Sequence, residues 1–232
     1  MTRQLVLDML PVTAPTLANY LPGQNAEALA ALKSLTPGHA IYLYGAAGCG
    51  RTHLARATTQ SNGRYLMGPA DTAALEALAH AEGGTPLPAR IAVDDVHRMD
   101  DAGQAALFAL YNRWRESAAT AGAFALVVAG DRAPLNMPLR EDLRTRLGWD
   151  LAFRLEPLSD DDKRAALTAQ AADRGLQLSP EVLQWMLTHY ERDIRRLSAL
   201  LIAVDRHSLA TGRRITVPLL RAMLADPDSP LT

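Results

Sequence analysis

The eight residues 45–52 constrain this chain more than any other stretch. They read Gly-Ala-Ala-Gly-Cys-Gly-Arg-Thr and fit the phosphate-binding pattern G-x-x-x-x-G-K-[ST] except at the lysine, where Arg51 stands. A short apolar run, residues 41–44, precedes this loop, and a helical sequence, residues 54–57, follows it. A strand, a glycine loop and a helix in this order direct backbone N–H groups at one point, which attracts anions. The sequence therefore predicts a phosphate-binding loop.

Each type of residue in the loop has an expected role. Gly45, Gly48 and Gly50 supply backbone angles that a Cβ atom would obstruct, and Thr52 supplies a hydroxyl for Mg²⁺. Arg51 keeps the positive charge, but its planar fork suits the γ-phosphate in the transition state less well than a lysine ammonium does. We therefore expect a site that holds nucleotide more than it hydrolyses it. The alternative is an ordinary glycine-rich turn, which the flanking strand and helix disfavour.

Composition excludes several classes of protein. The 232 residues carry 24 basic and 25 acidic side chains and a net charge of −1, so bulk charge does not predict strong direct DNA binding. The single cysteine, Cys49, excludes an intrachain disulfide and suits a reducing compartment. Apolar runs fall short of the ~20 residues that span a membrane, and the N-terminal apolar stretch is too short for a signal peptide. We expect a cytoplasmic protein with no membrane partner.

A second motif follows downstream of the loop. An apolar run, residues 91–93, ends in Asp94 and Asp95, as in a Walker B segment. Parallel strands carry their ligands at their carboxyl ends, where the phosphate loop also lies. Asp94 is therefore predicted to hold Mg²⁺, directly or through water, and Asp95 to orient the attacking water. The alternative is a simple turn or helix cap.

A polar residue also ends the next buried strand. The run 124–129 is followed by Gly130 and Asp131, and this strand should neighbour the one that ends at Asp94. We interpret Asp131 as a sensor of the γ-phosphate or its water. The alternative is a turn residue before Pro134.

The order of the elements predicts an α/β fold with a helical appendage. Five strands, near residues 41–44, 64–66, 91–95, 124–129 and 151–155, are predicted to form a parallel sheet, because helices separate them. Everything after residue 157 reads helical. We assign residues 1–22 to an N-terminal peptide and linker, 23–156 to a nucleotide-binding domain and 157–232 to a small helical lid domain.

Local signals place several helix ends. Asn25 is a predicted N-cap for a helix over residues 26–35, and a basic helix with three arginines is predicted over residues 139–147. Ser159 precedes three aspartates that favour a helix start, and Gly175 is a suitable residue just after a helix end.

The first residues have the form of a docking peptide. They read Gln4-Leu5-Val6-Leu7-Asp8-Met9, and Leu5, Leu7 and Met9 share one face if the segment is extended. An edge strand, or a tail packed on its own domain, explains the same pattern.

Together, these motifs resemble the AAA+ architecture of P-loop nucleotidases, and their wording resembles the Hda family of DnaA-related regulators of bacterial replication initiation. The similar stretches cover nearly the whole chain; they are residues 21–25, 50–54, 110–113, 130–132, 146–149, 155–163 and 192–195.

The resemblance implies partners and a mechanism. Gln4, Leu5, Leu7 and Met9 match a peptide that docks on the DNA polymerase III sliding clamp, the β subunit. Arg146 matches an arginine finger that reaches the nucleotide site of a bound DnaA, whereas the residues alone would not choose Arg146 over Arg144.

The resemblance also implies ADP or ATP with Mg²⁺ as cofactors. It adds Cys49 and His53 to the nucleotide-binding loop residues, and makes Arg192 the lid sensor arginine, with Arg195 as the runner-up. The resemblance further implies a cytoplasmic protein that associates with the nucleoid through the clamp. Whether the protein forms homo-oligomers stays open.

Three functions are thus distinguished. The first is a repressor of replication initiation that activates the ATPase of DnaA. The second is a stand-alone ATPase of the helicase-loader or clamp-loader type, which the missing lysine disfavours. The third is an adaptor with a decayed nucleotide site, which the presence of Thr52, Asp94 and Asp95 disfavours. Substitution of Asp95 distinguishes the last two, since only an ATPase would lose turnover.

Overall fold

The computed structural model describes residues 14–60, 62–81, 87–190 and 193–225. These residues divide into two compact units, 15–157 and 158–225. The predicted docking residues Gln4, Leu5, Leu7 and Met9, together with Arg192, lie outside the described residues.

The first unit contains the predicted five-stranded sheet. Its strands are β1 (Ala40–Tyr44), β2 (Gly63–Met67), β3 (Arg90–Asp94), β4 (Ala125–Gly130) and β5 (Leu151–Arg154). They are all parallel and lie in the order β2-β3-β4-β1-β5. The helices of this unit are α1 (Ala26–Lys33), α2 (Arg51–Thr58), α3 (Thr72–Ala79), α4 (Asp101–Ser117) and α5 (Glu141–Leu147). The prediction of an α/β fold on a parallel sheet is confirmed.

Helices cover both faces of this sheet. Ile41 and Leu43 of β1 pack in a cluster with α1 and α2, whereas Tyr42 and Tyr44 pack in a cluster with α3, α4 and α5 on the other face. Burial on both faces explains why the inner strands β1, β3 and β4 are almost continuously apolar. Because the neighbouring strands β3, β4 and β1 are parallel, the phosphate loop and the residues after β3 and β4 lie at the same edge of the sheet.

Asn25 occupies the predicted N-cap position of α1, but its side chain does not cap the helix. A 3-10 turn, Gly23–Asn25, leads directly into α1, and the Asn25 side chain makes no capping hydrogen bond. It is buried and instead joins the end of β5: its Nδ2 donates to the Glu156 carbonyl at 2.8 Å, and its Oδ1 accepts from the Glu156 N–H at 2.8 Å. The predicted position is confirmed, but the side chain makes no capping bond because a tertiary partner 131 residues away satisfies this amide.

The basic helix is shorter than predicted, since α5 begins at Glu141. Arg140 is extended, with φ −54° and ψ 143°, and its N–H donates to Oε1 of the buried Gln104 at 2.9 Å. Arg140 therefore lies before the helix, while Arg144 and Arg146 lie in its last turn.

The second unit is helical throughout its described residues. Its helices are α6 (Asp160–Asp173), α7 (Pro180–His189), α8 (Ile194–Thr211) and α9 (Val217–Ala225). They share a core that includes Leu167, Met186, Leu197, Leu200 and Leu220.

Two predicted helix ends of this unit are confirmed. Ser159 and Asp162 form a reciprocal capping box at the start of α6. Gly175 has a φ of +70° after the end of that helix. The Gly175 N–H donates to the Ala172 carbonyl at 2.9 Å, and the Leu176 N–H donates to the Ala171 carbonyl at 2.8 Å.

In the part of the chain that the structure describes, every helix falls short of the length and apolarity needed to cross a membrane.

Candidate functional site

The glycine loop connects β1 to α2, and Tyr20 packs against it. Gly50, at the start of α2, has a φ of +97°, and a Cβ atom there would lie 2.7 Å from the Tyr20 ring. The Tyr20 hydroxyl donates to the Cys49 carbonyl at 3.3 Å and accepts from Asn25 Nδ2 at 3.0 Å. The pattern therefore requires glycine at position 50 for two reasons, a left-handed backbone and the close approach of an aromatic ring. The sequence analysis did not predict this role of Tyr20. The only local indication is that Tyr20 shortly precedes the turn Gly23–Asn25.

His53 secures the same preceding segment. Its ring is buried, lies 5.3 Å from the Tyr20 ring centre, and makes a 3.0 Å hydrogen bond through Nε2 to the Thr16 carbonyl. The segment that contains Thr16 and Tyr20 is thus fixed to the first turns of α2.

Cys49 is a buried thiol inside the loop. Burial raises the pKa of the Cys49 thiol, although the backbone N–H and the charge of Arg51 oppose this in part. Because the thiolate is the reactive form, this environment favours a packing role for Cys49.

Arg51 carries a buried nitrogen that is unsatisfied by any described residue. Its Nη1 atom lacks a hydrogen-bond partner, although buried polar atoms are normally paired. Its positive charge acts on Tyr42 and on Asp131, so the guanidinium lies toward the carboxyl ends of β1 and β4. An anion in the glycine loop would supply the missing acceptor, and a guanidinium binds phosphate oxygens well.

Asp94 is a buried carboxylate at the end of β3. It is 2% exposed; its Oδ1 accepts from the Asp95 N–H at 2.8 Å, and its Oδ2 accepts from the Tyr65 hydroxyl at 3.0 Å. Burial and the Asp94 charge raise the pKa of Tyr65 to about 12, so this hydroxyl keeps its proton at neutral pH and donates. Sequence reasoning missed Tyr65, because nothing local marks it as a partner of Asp94.

The donor set fits Mg²⁺, a hard cation that binds carboxylate and hydroxyl oxygens. Asp94 is the last residue of β3, and Thr52 lies in the first turn of α2, the helix that follows the loop. The described residues contain no cluster of three or more acidic, histidine or cysteine side chains that could hold a metal. Asp94 and Thr52 would therefore hold Mg²⁺ together with nucleotide phosphates and water, as is common for this ion.

Asp95 has an unusual backbone. Its φ of +53° places it in the left-handed region, where aspartate is uncommon and where strain often marks functional sites. Its Oδ2 lies 3.8 Å from Arg98 Nη1, one turn further along the chain. Asp95 directly precedes a 3-10 turn, Val96–Arg98.

Asp131 lies after the neighbouring strand β4 and is held by Arg132. Two hydrogen bonds, 2.9 and 2.6 Å long, join the Arg132 guanidinium to its carboxylate. These bonds hold the pKa of Asp131 below its usual value, and the charges of His97 and Arg51 lower it further. His97, whose Nδ1 is buried and without a partner among the described residues, was also missed from sequence. The structure thus gathers positive charge around Asp131.

Arg146 is fixed on the surface by two aromatic rings and an amide. Its guanidinium carbon lies 3.8 Å from the Phe108 ring centre and 4.7 Å from that of Trp149, and its Nη1 donates to Oδ1 of Asn112. Arg115 stacks on Trp149 at 4.5 Å. Burial lowers the pKa of Arg146, but arginine remains charged at neutral pH. We call Phe108, Asn112 and Trp149 the Arg146 cradle.

Arg144, the alternative finger, is directed elsewhere. Its Nη1 donates at 3.5 Å to the carbonyl of Leu135, which precedes α5. Of the two arginines, Arg146 therefore has the more defined orientation.

Of the two candidate lid arginines, Arg192 lies outside the described residues. Arg195, the runner-up, forms hydrogen bonds of 3.3 and 2.8 Å with the Asp193 carboxylate, while the Arg195 N–H donates to the same carboxylate at 2.8 Å as the N-terminal cap of α8.

These features define a class. The first unit is an AAA+ P-loop domain. It has a five-stranded parallel sheet, a glycine loop after β1, the strand next to one edge, acidic residues at the end of β3 and a polar residue after β4. A C-terminal helical unit follows it in the chain.

Comparison with known proteins narrows the class. Residues 160–224 match the family model described as the Hda lid domain. Domain III of the replication initiation protein DnaA from Thermotoga maritima has a similar structure, with a TM-score of 0.67 at 20% identity over 95% of this chain and 100% of that one. AMPPCP-bound DnaA from Aquifex aeolicus is also similar, with a TM-score of 0.63 at 19% identity over 85% of this chain and 67% of that one. A Thermotoga maritima RuvB mutant has a TM-score of 0.60 at 20% identity over 92% of this chain and 74% of that one.

The helical unit thus resembles the lid domain of Hda, and the chain has the AAA+ fold that DnaA domain III also has.

Proposed function

We propose that this protein is a nucleotide-bound regulator of replication initiation. It docks on the DNA-loaded sliding clamp and stimulates ATP hydrolysis by DnaA, which switches the initiator off. Its own hydrolysis is secondary. The observation that carries the proposal is the cradled Arg146, on a chain whose second unit matches the Hda lid domain.

The geometry of Arg146 suits action on a second protein. An arginine finger stabilises the charge that develops on the γ-phosphate and accelerates hydrolysis by roughly 10³-fold or more. Its side chain must therefore project in a fixed direction before the partner arrives, because ordering it on binding costs free energy. Stacking on Phe108 and the hydrogen bond to Asn112 provide that order, and the guanidinium lies on α5, outside the chain's own glycine loop.

Nucleotide binding by this chain is supported by the loop itself. Arg51 offers a buried, unpaired Nη1 beside the glycine loop, and Asp94 with Thr52 fits Mg²⁺. The similar DnaA structure from Aquifex aeolicus holds AMPPCP. We propose ADP or ATP with Mg²⁺ as the ligands, held by residues 45–53, with Asp95 and Asp131 beside the terminal phosphate and Arg192 as a lid contact.

Clamp binding is proposed from sequence alone. Gln4, Leu5, Leu7 and Met9 lie outside the described residues, and the proposal depends on their spacing and on the family resemblance.

The decisive experiment measures ATP hydrolysis by DnaA in the presence of DNA-loaded clamp. We expect the wild-type protein to stimulate hydrolysis, Arg146→Ala to lose that stimulation, and Arg144→Ala, a matched arginine deletion on the same helix, to retain most of it. Retained stimulation in Arg146→Ala would refute the finger assignment. If the wild type stimulates nothing but hydrolyses ATP briskly by itself, the stand-alone ATPase reading replaces this one.

A further inference from the structure

Tyr65 contacts a carboxylate of the proposed Mg²⁺ site. Its hydroxyl lies 3.0 Å from Oδ2 of Asp94, so one side of the metal-binding carboxylate is occupied from β2, a strand that carries no recognised motif. We propose that Tyr65 is a positioning residue for Mg²⁺, which holds the Asp94 carboxylate in the orientation that the ion requires. The inference rests on the proposed function, since it assumes that the site binds Mg²⁺-nucleotide.

The pairing of β2 with β3 explains how Tyr65 reaches Asp94. Tyr65 pairs with Ala92, and Met67 pairs with Asp94, so the Tyr65 and Asp94 side chains lie two positions apart along the paired strands, on the same face of the sheet. Ala92, which pairs with Tyr65 on β3, carries only a methyl group as its side chain.

Arg56 fixes the ring from the other side. This residue lies on α2, the helix that begins at the glycine loop, and its guanidinium carbon is 4.5 Å from the Tyr65 ring centre. Tyr65 is thereby held between the loop helix and the strand that bears Asp94. Tyr65 therefore has a partner for its ring in Arg56 and a partner for its hydroxyl in Asp94.

The consequence for the ion follows from coordination chemistry. Mg²⁺ requires near-ideal octahedral geometry at short distances, so a ligand that rotates freely binds it poorly. Two donors, the Asp95 N–H and the Tyr65 hydroxyl, restrain the two oxygens of Asp94. Loss of an outer partner of this kind typically lowers metal affinity by about 10- to 100-fold.

The test compares Tyr65→Phe with Tyr44→Phe. Each change removes one hydroxyl from a half-buried tyrosine, but Tyr44 packs on the opposite face of the sheet. The affinity for a fluorescent ADP analogue is measured first in EDTA and then across a Mg²⁺ titration. We expect Tyr65→Phe to match wild type in EDTA and to need roughly 10-fold more Mg²⁺ for half of the Mg²⁺-dependent gain in affinity, whereas Tyr44→Phe follows wild type.

An unchanged Mg²⁺ titration in folded Tyr65→Phe would overturn the inference while leaving nucleotide binding intact. Wild-type protein that binds ADP but ignores Mg²⁺ would overturn it equally. Failure of the wild type to bind nucleotide in either buffer would refute the proposed function as well. If Tyr65→Phe does not fold, Arg56→Met serves instead, because it frees the ring and keeps the hydroxyl; we expect a smaller shift in the same direction, and no shift would overturn the inference.

Discussion

The guanidinium carbon of Arg146 lies 3.8 Å from the centre of the Phe108 ring. Phe108 lies on α4 and Arg146 in the last turn of α5, so this contact joins two helices that cover the same face of the sheet. The direction in which Arg146 projects therefore depends on how these two helices pack.

Replacement of Phe108 should weaken the action of Arg146 without removing it. We expect Phe108→Leu to lower the stimulated ATP hydrolysis of DnaA by roughly two- to fivefold, because cation–π stacking at a partly exposed site contributes about 0.5–1 kcal/mol. Phe153→Leu makes the same change in the cluster on the other face of the sheet and should leave stimulation near the wild-type rate. Equal losses in both variants would show that the effect is general.

Asn25 should be essential for stability. Its side chain satisfies both backbone groups of Glu156 and also bonds the Tyr20 hydroxyl. We expect Asn25→Ala to lower the free energy of unfolding by about 2–4 kcal/mol, since each buried group left unpaired costs about 1–3 kcal/mol. Urea denaturation measures the change, and the exposed Asn136 provides a matched asparagine deletion. A loss below 1 kcal/mol would contradict the bridging role.

Two loop glycines should differ in their tolerance of alanine. Gly48 has a φ of +82° with open space around a Cβ atom, whereas at Gly50, with a φ of +97°, a Cβ atom would lie 2.7 Å from Tyr20. Gly48→Ala should therefore cost only backbone strain, about 1–2 kcal/mol, and Gly50→Ala should cost more. Urea denaturation without nucleotide compares the two variants. Equal costs would mean that Tyr20 yields easily.

Asp193 should make the stability of the helical unit depend on pH. Burial raises the pKa of this carboxyl, but hydrogen bonds from Arg195 outweigh burial and hold the pKa below its usual value. A carboxyl with a lowered folded pKa stabilises the protein above its unfolded pKa, about 3.9, and this contribution disappears as the pH falls through the folded value.

Asp193→Asn keeps a capping oxygen for α8 but removes the charge. We expect a variant that is less stable at pH 7 and that loses less stability below about pH 4 than wild type, as urea midpoints between pH 3 and 7 would show. Asp161→Asn, at an exposed position of α6, is the control. Parallel pH profiles for wild type and Asp193→Asn would rule out this linkage.

Much of the architecture could be predicted from sequence because its signals are local. The alternation of apolar strands with helices, the glycine loop and the acidic ends of two strands predicted the parallel sheet and its ligand-binding edge. Ser159 and Gly175 marked the ends of α6 correctly, because a helix end depends on backbone groups within about four residues.

Several residues of the site could not be found this way. Tyr65 bonds Asp94 across 29 residues, and Asn112 bonds Arg146 across 34. Neither Tyr65 nor Asn112 belongs to a phosphate-binding motif, and strand register and helix packing determine both contacts. Asn25 combines both cases: its local pattern predicted the helix start correctly, but its side chain bonds the distant Glu156 backbone and does not cap the helix.

The sequence by itself determined the fold class, the glycine loop and the identities of the candidate ligands, because backbone geometry and hydrophobic periodicity are written in neighbouring residues. Only the tertiary structure decided which side chains hold those ligands in place: Tyr65 for Asp94, Tyr20 for the loop, and Phe108 with Asn112 for Arg146. Their orientation depends on contacts between elements far apart in the chain, which exist only when the sheet and its helices have packed.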